Sequence, residues 1–277
     1  MSFFVSLQHV LPQHLLSRFV GGLAASELPF VRTPFIHLFA RAYGVNMDEA
    51  ARPSLADYHS FNDFFTRTLK PGTRPLPADD RLLLCPADGA VSQRGTIQAG
   101  QLMQAKGIRY SFEALADSAA RSGNFEGGSF LTVYLAPSDY HRVHLPLAGT
   151  LTESVAIPGA LYSVNTATEH EIEGLFCRNE RLVMGFDTAV GRVLVIMVGA
   201  LIVASIDTPW PSPRSPYRER RHDSHNRPMD RGAEVGRFLL GSTVILCFER
   251  DAVSLNDRLE PGRIVRMGEA IGAPRAR

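Results

Sequence analysis

From about residue 82 the chain is cut into short runs rich in valine, isoleucine and leucine, each bounded by glycine or proline. "GAVSQRGTI", "GGSFLTVYLAP", "LAGTLTESVAIPG", "NERLVMGFDTAVGRVLVIMVG" and "GSTVILCFE" follow one another in this way. Many short strands separated by turns predict a β-rich sandwich or barrel rather than a doubly wound sheet. The longest late apolar stretch without charge, "VLVIMVGALIVASI" at 193–206, has 14 residues. A spanning helix needs about 20, and the Val/Ile content with Gly199 in the middle predicts two buried strands instead.

The first 70 residues read differently. In "HVLPQHLLSRFVGGLAAS", Leu11, Leu15 and Phe19 recur at helical spacing with Leu16 and Val20 beside them, the pattern of an amphipathic helix. "TPFIHLFARAYGV" and "SFNDFFTRTL" follow, with Ser60 and Asn62 as candidate caps before Phe64 and Phe65. The expected class is therefore α+β: an N-terminal amphipathic helical segment over 1–70 and a β-rich, sandwich- or barrel-like catalytic domain over 71–277. The helical faces can pack on the core, or they can lie in a lipid interface; periodicity alone leaves both open.

Several function classes are disfavoured by composition. The formal net charge is +1, so no strong field recruits nucleic acid. Lys70 and Lys106 are the only lysines, which argues against a lysine Schiff base. Cys85, Cys177 and Cys247 are widely spaced with no C-x-x-C pair. They read as buried thiols in a reducing compartment rather than a zinc or disulfide framework. No Gly-rich phosphate loop is present. The N-terminus has no basic, apolar and small-residue succession of a signal peptide, so the expected location is cytosolic. Residues 209–236 are Pro/Arg-rich, with seven arginines against four acids between 214 and 237. They read as a long solvated loop, and their "HDSH" lacks the second cluster a metal site needs.

Asp88 in "CPADGAV", His141 and His144 in "APSDYHRVHLP", and Ser242 in "RFLLGSTVILCFER" are the polar groups at strand ends. An acid, a histidine and a serine can form a hydrogen-bonded relay in which the carboxylate fixes the imidazole and the imidazole takes the serine proton. Ser242 is not framed as G-x-S-x-G, so no hydrolase elbow presents it. Instead Gly241-Ser242-Thr243 interrupts an apolar strand, where glycine marks a bend or a close backbone approach. A serine hydrolase built on the same three residues, or a non-enzymatic β-rich binding module, remains open on composition alone.

Seven collinear segments carry a resemblance: "FNDFFTR", "PADGAVSQ", "QAKGIRYS", "YHRVHLP", "PGALYSVN", "NERLVMGFDT" and "FLLGSTVI", together spanning about 61–246. With them the chain closely resembles the bacterial phosphatidylserine decarboxylase proenzymes, self-cleaving and pyruvoyl-dependent carbon–carbon lyases of phospholipid biosynthesis. It departs at Leu201, where a threonine is expected, and in the loop after Trp210. The resemblance implies that the Ser242 hydroxyl attacks the Gly241 carbonyl, with His144 as base and Asp88 holding it. The zymogen then divides into chains 1–241 and 242–277, and Ser242 becomes a covalent pyruvoyl group, the cofactor. It implies further that the pyruvoyl ketone forms a Schiff base with phosphatidylserine in the membrane and releases phosphatidylethanolamine, with His141 assisting. No metal is implied. The two chains are expected to stay together as a heterodimer, with further dimerisation left open, peripherally on the cytoplasmic face of the membrane. A lipid substrate favours the interfacial reading of residues 1–45.

Overall fold

A strand whose two faces are both buried reads as a continuous apolar run rather than an alternation, and the chain's central runs are of that kind. The computed structural model describes residues 8, 13–105, 107–200, 206–213, 215–239 and 242–275. Leu201, Leu240, Gly241 and the side chain of Ser242 lie outside the described residues. The strands in chain order are β1 (Leu83–Leu84), β2 (Gly89–Thr96), β3 (Gln101–Ala105), β4 (Ile108–Ser111), β5 (Gly128–Leu135), β6 (Arg142–His144), β7 (Gly149–Ile157) and β8 (Arg181–Thr188). They continue as β9 (Gly191–Gly199), β10 (Ile206–Asp207), β11 (Arg221–Met229), β12 (Glu234–Phe238), β13 (Ser242–Arg250), β14 (Val253–Leu255), β15 (Ile264–Val265) and β16 (Ala270–Pro274).

Eight of them form one antiparallel sheet in the order β11-β7-β8-β9-β13-β5-β2-β15. Alternation along β13 serves both faces. Val244 and Leu246 join one core with Val133, Val195 and Met197, and two small sheets, β10-β12-β6 and β1-β16-β14, close that core through Val143, Val235 and Ile271. Ile245 and Cys247 join a second core with Phe130, Ile196 and Val198, covered by Leu115, Leu175 and Phe176 from short helices. The α+β class with a β-rich, sandwich-like core follows. Val193–Gly199 forms the first of the two strands expected in 193–206.

The helical segment comprises α1 (Gln13–Ala24), α2 (Pro29–Tyr43) and α3 (Phe61–Phe65). α2 starts with proline in its first turn and stops at Gly44 in the left-handed region, as such caps do. Ser60 caps α3 by accepting from the Asp63 N–H at 3.1 Å, whereas Asn62 lies inside the helix. Ile36, Phe39, Tyr58, Phe61, Phe64 and Phe65 form a third buried cluster, with Phe35 stacked on Phe61 at 4.2 Å.

α1 is turned outward. Leu15 and Phe19 are 68% and 67% exposed, while Gln13 and Ser17 are buried. The Gln13 amide oxygen accepts from the Leu161 N–H at 2.7 Å, so a polar tether rather than the apolar stripe faces the protein. Phe30 and Leu38 of α2 are likewise exposed. Among the described residues no helix is long and apolar enough to cross a membrane.

The expected loop at 209–236 is a correction. Residues 221–229 are β11, an edge strand paired with β7, and 234–236 open β12. Its charged and proline-bearing sequence hid it, yet charges and proline are what edge strands carry to block further pairing. Its histidines serve cross-strand contacts: His222 Nε2 meets a Glu153 oxygen at 2.9 Å and His225 Nε2 meets the Ser154 hydroxyl at 2.8 Å.

Candidate active site

The middle of the large sheet places the sequence's candidates at one end of four neighbouring strands. Ala90 of β2 pairs with Tyr134 of β5, which pairs with Thr243 of β13, which pairs with Val198 of β9. One residue further along, Leu135, Ser242 and Gly199 are in register. Gly89 pairs with Val265 on the other side and begins β2 directly after Asp88. A Cβ on Gly89 would fall 2.2 Å from the Tyr134 carbonyl oxygen, so only glycine lets the strands close here and hold Asp88 at this end.

β5 ends at Leu135, and residues 136–141 turn into β6, bringing the histidines back to the same end. The helical segment braces this turn. Arg67 Nη2 donates to the Ser138 carbonyl at 2.8 Å, Arg142 Nε donates to the Thr66 carbonyl at 2.9 Å, and Phe65 packs on the His141 ring at 4.0 Å. That bracing ties "FNDFFTR" to the segment that carries the histidines.

His144 is held by groups the sequence did not single out. Its Nδ1 lies 2.8 Å from the Gly232 carbonyl, which can only accept, so Nδ1 carries the hydrogen and Nε2 the lone pair. The Tyr140 hydroxyl donates to that Nε2 at 3.0 Å. Burial pulls the His144 pKa below the ordinary histidine value, and the Gly232 bond opposes it in part. His141 is fully buried; its Nδ1–H donates to the Asp139 carbonyl at 2.9 Å, and its Nε2 has no partner among the described residues. Burial drops its pKa to about 3. Both rings are therefore neutral at physiological pH.

Asp88 does not meet His144 through a side-chain hydrogen bond. Its Oδ1 accepts from Arg74 Nε at 2.9 Å and from the Met267 N–H at 2.8 Å, and its Oδ2 pairs with Arg74 Nη2. Arg74 also pairs with Glu49 at 2.7 Å, and Glu49 with Arg266 at 2.9 Å. A two-point guanidinium pair outcompetes a neutral imidazole for the carboxylate. Asp88 and His144 are joined through the backbone instead: the His144 N–H donates at 2.8 Å to the carbonyl of Pro86, two residues before Asp88.

Two cavities flank this end of the sheet. One of about 190 Å³ is lined by Asn46, Glu49, Arg67, Arg74, Asp88 and Tyr140, among others. The other, about 430 Å³, is lined by Ser92, Tyr134, Glu169 and Gly262. Glu169 there accepts from the Ser92 hydroxyl at 2.8 Å, and burial pushes its pKa up to about 7. The buried thiols of Cys85 and Cys247 are raised by the same cause and have no place in this chemistry.

Asp88, at the start of β2, and the backbone of Ser242, at the start of β13, thus lie at one end of a β-rich sheet. The family model described as phosphatidylserine decarboxylase matches residues 61–273, and a second, described as PSD, matches residues 3–44. A phosphatidylserine decarboxylase proenzyme of Azotobacter vinelandii is 50% identical over 273 residues, 96% of each chain. One of Shewanella halifaxensis is 47% identical over 276 residues, again 96% of each, and one of Acinetobacter baumannii is 46% identical over 269 residues, 97% of this chain and 95% of the relative. The chain belongs to the phosphatidylserine decarboxylase family.

Proposed function

We propose that this chain cleaves itself between Gly241 and Ser242 and then decarboxylates phosphatidylserine at a membrane surface. The observation that carries the reading is the register that puts Ser242 level with Leu135 and Gly199, at the sheet end where Asp88 and the two neutral histidines gather. A neutral imidazole with its lone pair on Nε2 is a competent base. His144 takes the hydroxyl proton as the serine oxygen bonds to the Gly241 carbonyl carbon, and returns it to the departing amide nitrogen. The peptide becomes an ester. Loss of the Ser242 α-proton then breaks the Cβ–O bond and frees the Gly241 carboxylate. Water replaces the nitrogen as ammonia on the new N-terminus, leaving the ketone.

Residue 242 fits that fate, because β13 is a central strand hydrogen-bonded to both β5 and β9 and buried from Val244 to Phe248. The chain 242–277 would keep those ladders after the cut, so the two pieces hold together as a heterodimer. A pyruvoyl group at residue 242 would supply the ketone and the electron sink that decarboxylation of an amino acid needs. His141, neutral against Phe65, adds no cation that would hold the substrate carboxylate in its charged ground state.

The outward faces of α1 and α2 support a peripheral location at a membrane surface. Leu15, Phe19, Phe30 and Leu38 are exposed, and each such side chain fully transferred to an apolar phase contributes about 1.5–3 kcal/mol.

Cyanoborohydride added with phosphatidylserine vesicles is expected to fix the lipid amine covalently to the fragment 242–277, read as added mass on that fragment alone. An unmodified fragment beside unconverted lipid contradicts the reading. Replacing Leu15, Phe19, Phe30 and Leu38 by glutamate should cut vesicle binding at least about tenfold while self-cleavage continues; unchanged binding removes the interfacial role of these helices.

A further inference from the structure

Arg67 is the side chain whose circumstances the self-cleavage chemistry leaves unexplained. It is 4% exposed; its guanidinium lies 5.8 Å from the centre of the Phe64 ring, and of its nitrogens only Nη2 is hydrogen-bonded, to the carbonyls of Ser138 at 2.8 Å and Asp139 at 3.3 Å. Nε and Nη1 are buried with no hydrogen-bond partner among the described residues. Arg181, equally buried, shows how this fold treats an arginine that is purely structural. Its three nitrogens donate to the carbonyls of Ala114, Leu115, Cys177 and Asn179 at 2.6–3.0 Å. Leaving charged donors buried and unmatched is costly.

The carboxylates around Arg67 are committed elsewhere. Asp88 and Glu49 are bonded to Arg74, and Glu49 also to Arg266. Asp139 accepts from the Ala136 N–H at 2.7 Å, and burial raises its pKa. Burial also pulls the Arg67 pKa down, the direction an incoming anion would reverse.

Arg67 lines the cavity of about 190 Å³ that also reaches Asp88 and Gly89 on one side and Gly44 and Asn46 on the other. Gly44 caps α2, so the cavity runs from the catalytic end of the sheet to the helix whose apolar residues face outward. The larger cavity is lined by Glu169 and His170 and by no arginine, whereas Arg67, Arg74 and Arg266 all line the smaller one beside its three acids.

We propose that the free edge of Arg67, Nε and Nη1, binds the phosphodiester of the lipid headgroup in this cavity. The inference rests on the reading that phosphatidylserine is the substrate. That lipid offers two anions, and the chemistry separates them. An arginine gripping the carboxylate would stabilise a charge that the reaction removes, and so slow it. The phosphodiester keeps its charge throughout, and a planar guanidinium matches two of its oxygens.

The test uses the full-length Ser242→Ala chain, so that binding is read without turnover. Dihexanoyl phosphatidylserine below its micellar concentration and O-hexylserine, which keeps the amine and carboxylate and lacks the phosphodiester, are titrated by calorimetry. Arg67→Gln should weaken dihexanoyl phosphatidylserine about 10- to 100-fold and leave O-hexylserine unchanged. Arg67→Lys, which keeps the charge and loses the fork, should fall between and covers the case in which the glutamine variant does not fold. Equal weakening of both ligands assigns Arg67 to the carboxylate and overturns the proposal; so does an unaltered affinity for both, or no binding of dihexanoyl phosphatidylserine by the Arg67-bearing chain. Failure of the underlying reading shows elsewhere, as a chain with Ser242 and Arg67 intact that neither divides nor decarboxylates the lipid.

Discussion

His144→Ala is expected to slow self-cleavage at least about 100-fold, the range a positioned general base contributes, while the chain stays folded. The geometry states what is removed: an imidazole locked with Nδ1–H on the Gly232 carbonyl and with Nε2 accepting from the Tyr140 hydroxyl, which must give way to the serine hydroxyl. Burial lowers its pKa, so the base remains deprotonated below the ordinary histidine value of about 6.5. Self-cleavage followed by gel densitometry should therefore be flat above about pH 6.5, with its acid limb below that. An acid limb centred above pH 7 would mean a raised pKa, the signature of an imidazole held by a carboxylate. The two arrangements, Asp88 on His144 or Asp88 on Arg74, are thus told apart by one profile. Stability carries the same sign. Groups whose folded pKa is depressed bind protons more readily when unfolded, so the stability from His144 and His141 is complete above about pH 6.5. It is lost as pH falls, for His141 toward about 3.

Asp88→Asn is expected to cost about 3–5 kcal/mol of stability, the range for breaking a buried pair, as well as self-cleavage. Asparagine keeps an acceptor for the Met267 N–H but leaves Arg74, whose side chain is 6% exposed, with Glu49 alone. In this arrangement Asp88 acts by fixing the segment from Cys85 to Gly89, to which the His144 backbone is bonded through Pro86. Arg74→Met should then slow cleavage as Asp88→Asn does, and the double variant should lose much less than the sum, because each change breaks the same contact. Parental cleavage by Arg74→Met, measured on folded protein, contradicts the positioning role and returns Asp88 to direct contact with the imidazole.

The parts of the molecule that were legible in the sequence are those where a local pattern has one physical solution. Continuous apolar runs such as 193–199 and 244–248 require strands buried on both faces, and the structure buries them completely. The β11 strand escaped because an edge strand facing water needs no apolar pattern. The stripe of Leu15 and Phe19 was legible as a helix face, but periodicity cannot say whether that face points in or out. At the site, Asp88, His141, His144 and Ser242 announce themselves by residue type and neighbours. Arg74 joins Asp88 across 14 residues, Gly232 joins His144 across 88, and Arg67 joins Ser138 across 71. Such partners are set by tertiary register, and only the presence of Arg67 in "FNDFFTR" hinted at one of them.

In the proposed chemistry the backbone breaks between Gly241 and Ser242 to make the cofactor. Intact-mass spectrometry of the purified protein under denaturing conditions tests it directly. Two species are expected, residues 1–241 and a 36-residue chain 242–277 whose N-terminus is a ketone in place of the serine amine, eluting together until denaturant is added. Ser242→Ala should give the single 277-residue chain. A parent chain that stays whole after prolonged incubation, or a Ser242→Ala chain still cut at that bond, would rule out self-cleavage by Ser242.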